Sequence, residues 1–154
     1  MNGTYLEQLH RMERALNNLD RIYSGSSGAI PAEDCRDTVL SFFQNCYHLK
    51  DWLINDASGT FRKDAVENFV NVSRELRLCA DLCNGSKHLK LTKPPRSNEN
   101  PRLGAQSVTV DLGAERNMYS FAVDTTSGQI DALVLARQCC GLWRGFIKSV
   151  VPAA

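Results

Sequence analysis

Between residues 39 and 53 the apolar side chains fall at Val39, Phe42, Cys46, Leu49 and Leu53, in steps of three, four, three and four. A strand returns to the same face every second residue, so this spacing fits a helix with one continuous apolar stripe. Such a stripe must be covered by other elements of the chain. Comparable stripes occur at Leu6, Leu9, Met12, Leu16, Leu19 and Tyr23, and from about Thr60 at Val66, Phe69, Leu76, Ala80 and Cys83. A fourth, over roughly 129–149, comprises Ile130, Leu133, Cys140, Trp143, Phe146 and Ile147. "SGSSG" at 24–28, the stretch Asn55 to Gly59 and the pair Pro94–Pro95 supply the breaks. Pro31, followed by two acids, opens the second helix, because proline suits a first turn and acids suit a helix N-terminus.

The period changes after the polar connector 92–106. "SVTVDL" alternates Val108, Val110 and Leu112, and "MYSFAV" alternates Tyr119, Phe121 and Val123, with "GAERN" between them. This pattern predicts a short β-hairpin at about 107–124, which needs a helix layer or another chain to pack on. The expected fold is mainly α, a four-helix bundle with the hairpin inserted before the last helix, in a single domain spanning 1–154. An α+β packing, with the hairpin at the edge of a shared sheet, is the alternative.

At 154 residues the chain can bury a core without covalent staples. Its 18 Lys and Arg nearly balance its 17 Asp and Glu, so no global field steers it to nucleic acid or an anionic membrane. No stretch approaches the roughly 20 apolar residues of a membrane span, and the charged, amphipathic N-terminal segment does not read as a signal peptide. The expected location is the cytosol. There, Cys35, Cys46, Cys79, Cys83, Cys139 and Cys140 are expected as small core residues rather than disulfides. Cys79 and Cys83 share a helix face and could hold zinc with a histidine, but the paired CxxC form is lacking. Neither a metal nor a cofactor is expected.

The polar positions offer a candidate site. Arg77, Asp81, Asn84 and His88 follow one another at steps of four, three and four, and so line one helical face if the helix runs through Gly85. Asn-Gly is also a common helix stop, although Leu89, Leu91 and the later prolines favour continuation. His48 and Asp51 on the second helix form a parallel stripe with Asn55. A groove between the two stripes would hold histidines suited to proton transfer near neutrality, whereas a solvated outer face is the plainer reading.

"Asn84-Gly85-Ser86-Lys87-His88" resembles the signature of the HEPN superfamily, in which an Arg and a polar residue, often Asn, precede a His by fixed spacing on one helix. The signature arginine falls on Cys83, and Arg77 lies on the same face about two turns upstream. The resemblance implies a helical bundle from an RNA-processing, toxin–antitoxin or phage-defence system. It also implies a dimer in which His88 serves as metal-independent acid/base of a ribonuclease and Asn84 orients it or the phosphate. Without the arginine, the fork that best fits a phosphate in the transition state is missing. Relatives with eroded motifs imply the alternative, a non-catalytic protein-interaction module. The phrase "NCYHLKDWL" at 45–53 is similar to a recurrent feature of uncharacterised prokaryotic and mobile-element proteins.

Lys87, Lys90, Lys93, Arg96 and Arg102 face only Glu99 over the same stretch, a local basic patch that could meet an RNA backbone. A solubilising loop has the same composition, and no interleaved aromatics suggest base stacking. The sequence contains no Gly-rich phosphate loop, nucleophile elbow or HExxH, so other enzyme classes find no motif. The expected partners are RNA, a protein or antitoxin, or a second copy of the chain, and no membrane.

Overall fold

A computed structural model describes residues 3–26, 30–87 (the last by its backbone), 94–114 and 116–152. Five helices and three strands occur among them, in the order α1 (Tyr5–Ser24), α2 (Ala32–Ile54), α3 (Lys63–Val72), α4 (Arg74–Lys87), β1 (Arg102–Asp111), β2 (Arg116–Thr125), β3 (Gly128–Asp131) and α5 (Ala132–Val150). The stripe of α2 is buried throughout, from Val39 to Leu53. α1 packs along α2, while α4 runs between α2 and α5. Phe42, Phe43, Met12, Leu49 and Trp143 fill the junction. α1 ends at Gly25, whose φ of 78° places it in the left-handed region and lets its N–H cap the last carbonyls.

The expected single helix from Thr60 is instead two, which replaces the four-helix bundle by five helices. Ser73 is extended (φ −98°, ψ 109°) and its hydroxyl donates back to the Phe69 carbonyl at 2.7 Å. A serine that bonds its own preceding turn offers the backbone an alternative to the helical ladder. The Ser73 carbonyl still accepts from Arg77 N–H, so α4 restarts at once in a new direction.

The hairpin is part of a three-stranded antiparallel sheet in the order β1-β2-β3. β2 is central, and its Tyr119, Phe121 and Val123 turn inward against α1 and α5. Val123 pairs with Ile130 on β3, so a residue expected inside the last helix belongs to the sheet. α5 starts two residues later, where Asp131 caps it by accepting from the N–H groups of Leu133 and Val134. β1 begins within the connector, and a bulge between Leu103 and Gln106 shifts its register. At Gly104 a Cβ would collide with the Asp124 carboxylate, which explains the glycine. Arg36 of α2 donates to the Gly104 and Leu103 carbonyls and pins the bulge to the helices.

Tyr23 joins three elements at one oxygen. Its hydroxyl accepts from Phe121 N–H at 3.0 Å and Leu133 N–H at 3.3 Å, and donates to Asp131 at 2.9 Å. Burial, assisted by the neighbouring Asp131, pushes its phenol up to about 12. Among the described residues, no helix is long and apolar enough to cross a membrane.

Candidate functional site

The helix does run through Gly85, to Lys87, so Arg77, Asp81 and Asn84 occupy one face of α4. His88, Lys90 and Lys93 lie outside the described residues, as does the side chain of Lys87. What the face holds is not an open groove but the loop 94–101. The Asp81 carboxylate, only 5% exposed, accepts from Arg96 N–H at 2.7 Å, from Ser97 N–H at 2.9 Å and from the Ser97 hydroxyl. Both of its oxygens are engaged in holding a backbone turn. Asn84 is half-buried one turn on, where Ser86 accepts from Gln44 of α2 at 3.0 Å.

The flanking charges are also paired. Arg74 grips Glu99 through two hydrogen bonds, at 2.8 and 2.6 Å, and holds its carboxyl down at about 2. Arg96 turns away from solvent: it donates to Tyr47 at 3.0 Å, to Glu67 at 3.2 Å and to Asn71 at 2.8 Å. Lys50 completes the group with a 2.9 Å bond to Glu67. Burial opposes ionisation of Glu67, but Lys50 and Arg96 together keep its carboxyl below the ordinary value. Arg96 is therefore a structural cation rather than part of a basic surface, whereas Arg102 is exposed.

From α2, the side chains that reach this network are Tyr47 and Lys50. Asp51 is exposed at 3.6 Å from Lys50, and its carbonyl accepts from Asn55 at the helix end. His48 is half-buried on α2. Arg77 keeps its Nε buried without an acceptor among the described residues.

A concave surface lies elsewhere, between α3, α4 and α5. A cavity of about 600 Å³ is lined by Phe69, Glu75, Gln138, Gly141, Leu142, Gly145, Phe146 and Ser149. Its floor is aromatic: Phe69 stacks on Phe146 at 4.6 Å between centroids, and Trp143 lies 5.6 Å from Phe69. None of the sequence-derived candidates lines it. The outward face of α5 along this groove carries Val134, Gln138, Gly141, Gly145 and Ser149, with Lys148 exposed at its edge. Arg137 and Arg144 lie to one side, paired with Asp20 and Glu13 of α1.

All six cysteines are buried, as expected, and none is in a disulfide. The Cys79 thiol lies within 4.8 Å of those of Cys46 and Cys139, from α2 and α5. Sequence reasoning missed this grouping because the three residues are far apart in the chain. The four-residue step from Gly141 to Gly145 was the visible signal for the groove. Comparison with family models, curated proteins and solved structures finds no match for this chain.

Proposed function

We propose that the protein is a non-catalytic interaction module, of the kind found in mobile-element or conflict systems, and that it pairs with a second copy of itself through α5. One observation carries this reading. Gly141 and Gly145 sit inside a 19-residue helix, and a Cβ at either would meet nothing within 4 Å. Glycine in a helix interior costs about 1 kcal/mol relative to alanine, and nothing among the described residues requires it at these two positions. A second helix crossing at close range would require it. A small-residue stripe over an aromatic floor, edged by Glu75 and Lys148, is also self-complementary, as a two-fold interface demands.

Sedimentation velocity of the 17.2 kDa chain tests the reading. The wild type is expected as a dimer at tens of micromolar, and Gly141→Leu with Gly145→Leu as a folded monomer. A wild-type monomer throughout that range overturns it.

The HEPN-like ribonuclease is the second reading. Its support is the continuation of α4 through Gly85, which keeps Asn84 in line with Arg77 and Asp81 ahead of His88. Expression in a bacterial host separates the two. Toxicity abolished by His88→Ala, with RNA ends bearing cyclic phosphate, favours the enzyme; intact RNA over long incubation favours the module.

A further inference from the structure

The sulfurs of Cys46, Cys79 and Cys139 all lie within 4.8 Å of one another, each from a different helix. A central point therefore exists no more than about 2.8 Å from each sulfur. The ordinary zinc–thiolate bond is about 2.3 Å, so a small inward movement of the side chains suffices to close on an ion. Each residue is at most 1% exposed.

Two of the sulfurs also donate to backbone carbonyls. The Cys79 thiol donates to the Phe43 carbonyl of α2 and the Cys139 thiol to the Glu75 carbonyl of α4, both at 3.4 Å. These are long, weak bonds that a metal can replace. A second, independent observation concerns Trp143, which is fully buried. Its indole N–H has no acceptor within hydrogen-bonding geometry, yet it faces the Cys46 sulfur. An unused buried donor is costly unless an anionic acceptor forms beside it.

We propose that Cys46, Cys79 and Cys139 form a binding site for a soft divalent cation, Zn²⁺ or Cd²⁺, in three-sulfur coordination. Binding releases the three thiol protons to solvent and leaves three thiolates on a divalent ion, a net charge of −1. The Trp143 N–H, beside Cys46, is placed to take up part of that charge. Soft thiolates select such ions over hard ones, and Mg²⁺ or Ca²⁺ find no oxygen donor set here. The ion would join α2, α4 and α5 at the centre of the core. Because the site is closed, it fills during folding or through local opening, so binding adds directly to native-state stability.

The test uses the full chain, purified under reducing conditions and freed of metal, titrated with Cd²⁺. The expected result is a sulfur-to-cadmium charge-transfer band in the near ultraviolet that saturates at one equivalent. Three protons should be released per ion, and the Tm should rise by about 5–10 °C at a hundredfold excess over Kd. Cys139→Ala should lose the band, while Cys35→Ala, buried outside the cluster, should keep it. Should the cluster variant fail to fold, the wild type still decides. A charge-transfer band that saturates at one equivalent, with three protons released per ion, supports the three-sulfur site whether or not the variant folds. Absence of a saturable band, or release of fewer than three protons per ion, overturns the proposal.

Discussion

α4 and α5 each present a polar or small-residue face away from the main core, and the two faces are treated in opposite ways. On α4 two of the charged groups are met from within the chain, Asp81 by the 96–97 backbone and Arg74 by Glu99, and the incoming Arg96 is met by Tyr47, Glu67 and Asn71, while the buried Nε of Arg77 has no acceptor among the described residues. On α5 the face along the groove is built mainly of small and uncharged residues, and its two glycines have open space where side chains would go. A row of charges drew attention in the sequence, yet it builds the fold. The bland row is the one that nothing among the described residues completes. Polar residues at helical spacing thus identify where hydrogen bonds are needed, and only their partners tell whether those bonds face inward or outward.

The largest expected effect breaks the α4 side. Asp81→Ala strands two backbone N–H groups and a hydroxyl in a buried turn, and should cost about 3 kcal/mol in urea unfolding. A change below about 1 kcal/mol would mean that the 94–101 loop is not held by Asp81, and would reopen that face as a site. The next prediction concerns Glu99, whose folded carboxyl lies at about 2 against an ordinary 4.5. A depressed carboxyl contributes stability that is fully present above pH 4.5 and is lost as the pH falls towards 2. Discounted for the half-exposed Arg74 partner, the loss should be about 1–2 kcal/mol. Glu99→Gln should flatten the pH dependence over that window; an unchanged slope would show that the clamp adds nothing. The smallest effect sharpens the α5 side. Gly141→Ala, measured in dilute protein where the monomer prevails, should raise stability by about 0.5–1 kcal/mol, because the helix gains propensity and nothing is displaced. A destabilisation would reveal packing within the chain at that glycine, and remove the case for an external partner.

Much of the fold could be read from periodicity. The stripe of α2, that of α1 from Met12 onward and the alternation of β2 follow from spacing alone, since each reflects a single element meeting the core, whereas Leu6 at the start of the α1 stripe is exposed. The break at Ser73 was not legible, because Val66, Phe69, Leu76 and Ala80 keep helical spacing across it and serine is no strong breaker. β3 was missed because four residues, Gly128 to Asp131, are too short to show alternation. For the candidate site, the run of α4 through Gly85 was anticipated, and the placement of Arg77, Asp81 and Asn84 on one face with it. Their occupation by Ser97 and Arg96 was not, since sequence spacing records which side chains share a face but not which loop returns to cover it. The Cys46, Cys79 and Cys139 cluster was out of reach for the same reason: it is a product of three helices converging, and no motif of one segment encodes it.

The bend at Ser73 has a mechanical consequence for the groove. Phe69 stands on the helix before it and Glu75 on the helix after it, yet both line the same cavity. The two jaws of the cleft are therefore adjoining parts of one chain, opposed across a single extended residue. The backbone torsion of Ser73 works as the caliper setting, and the hydroxyl bond to Phe69 is the screw that fixes it. The spacing of Phe69 from Glu75 along the wall that faces α5 is written at that one residue.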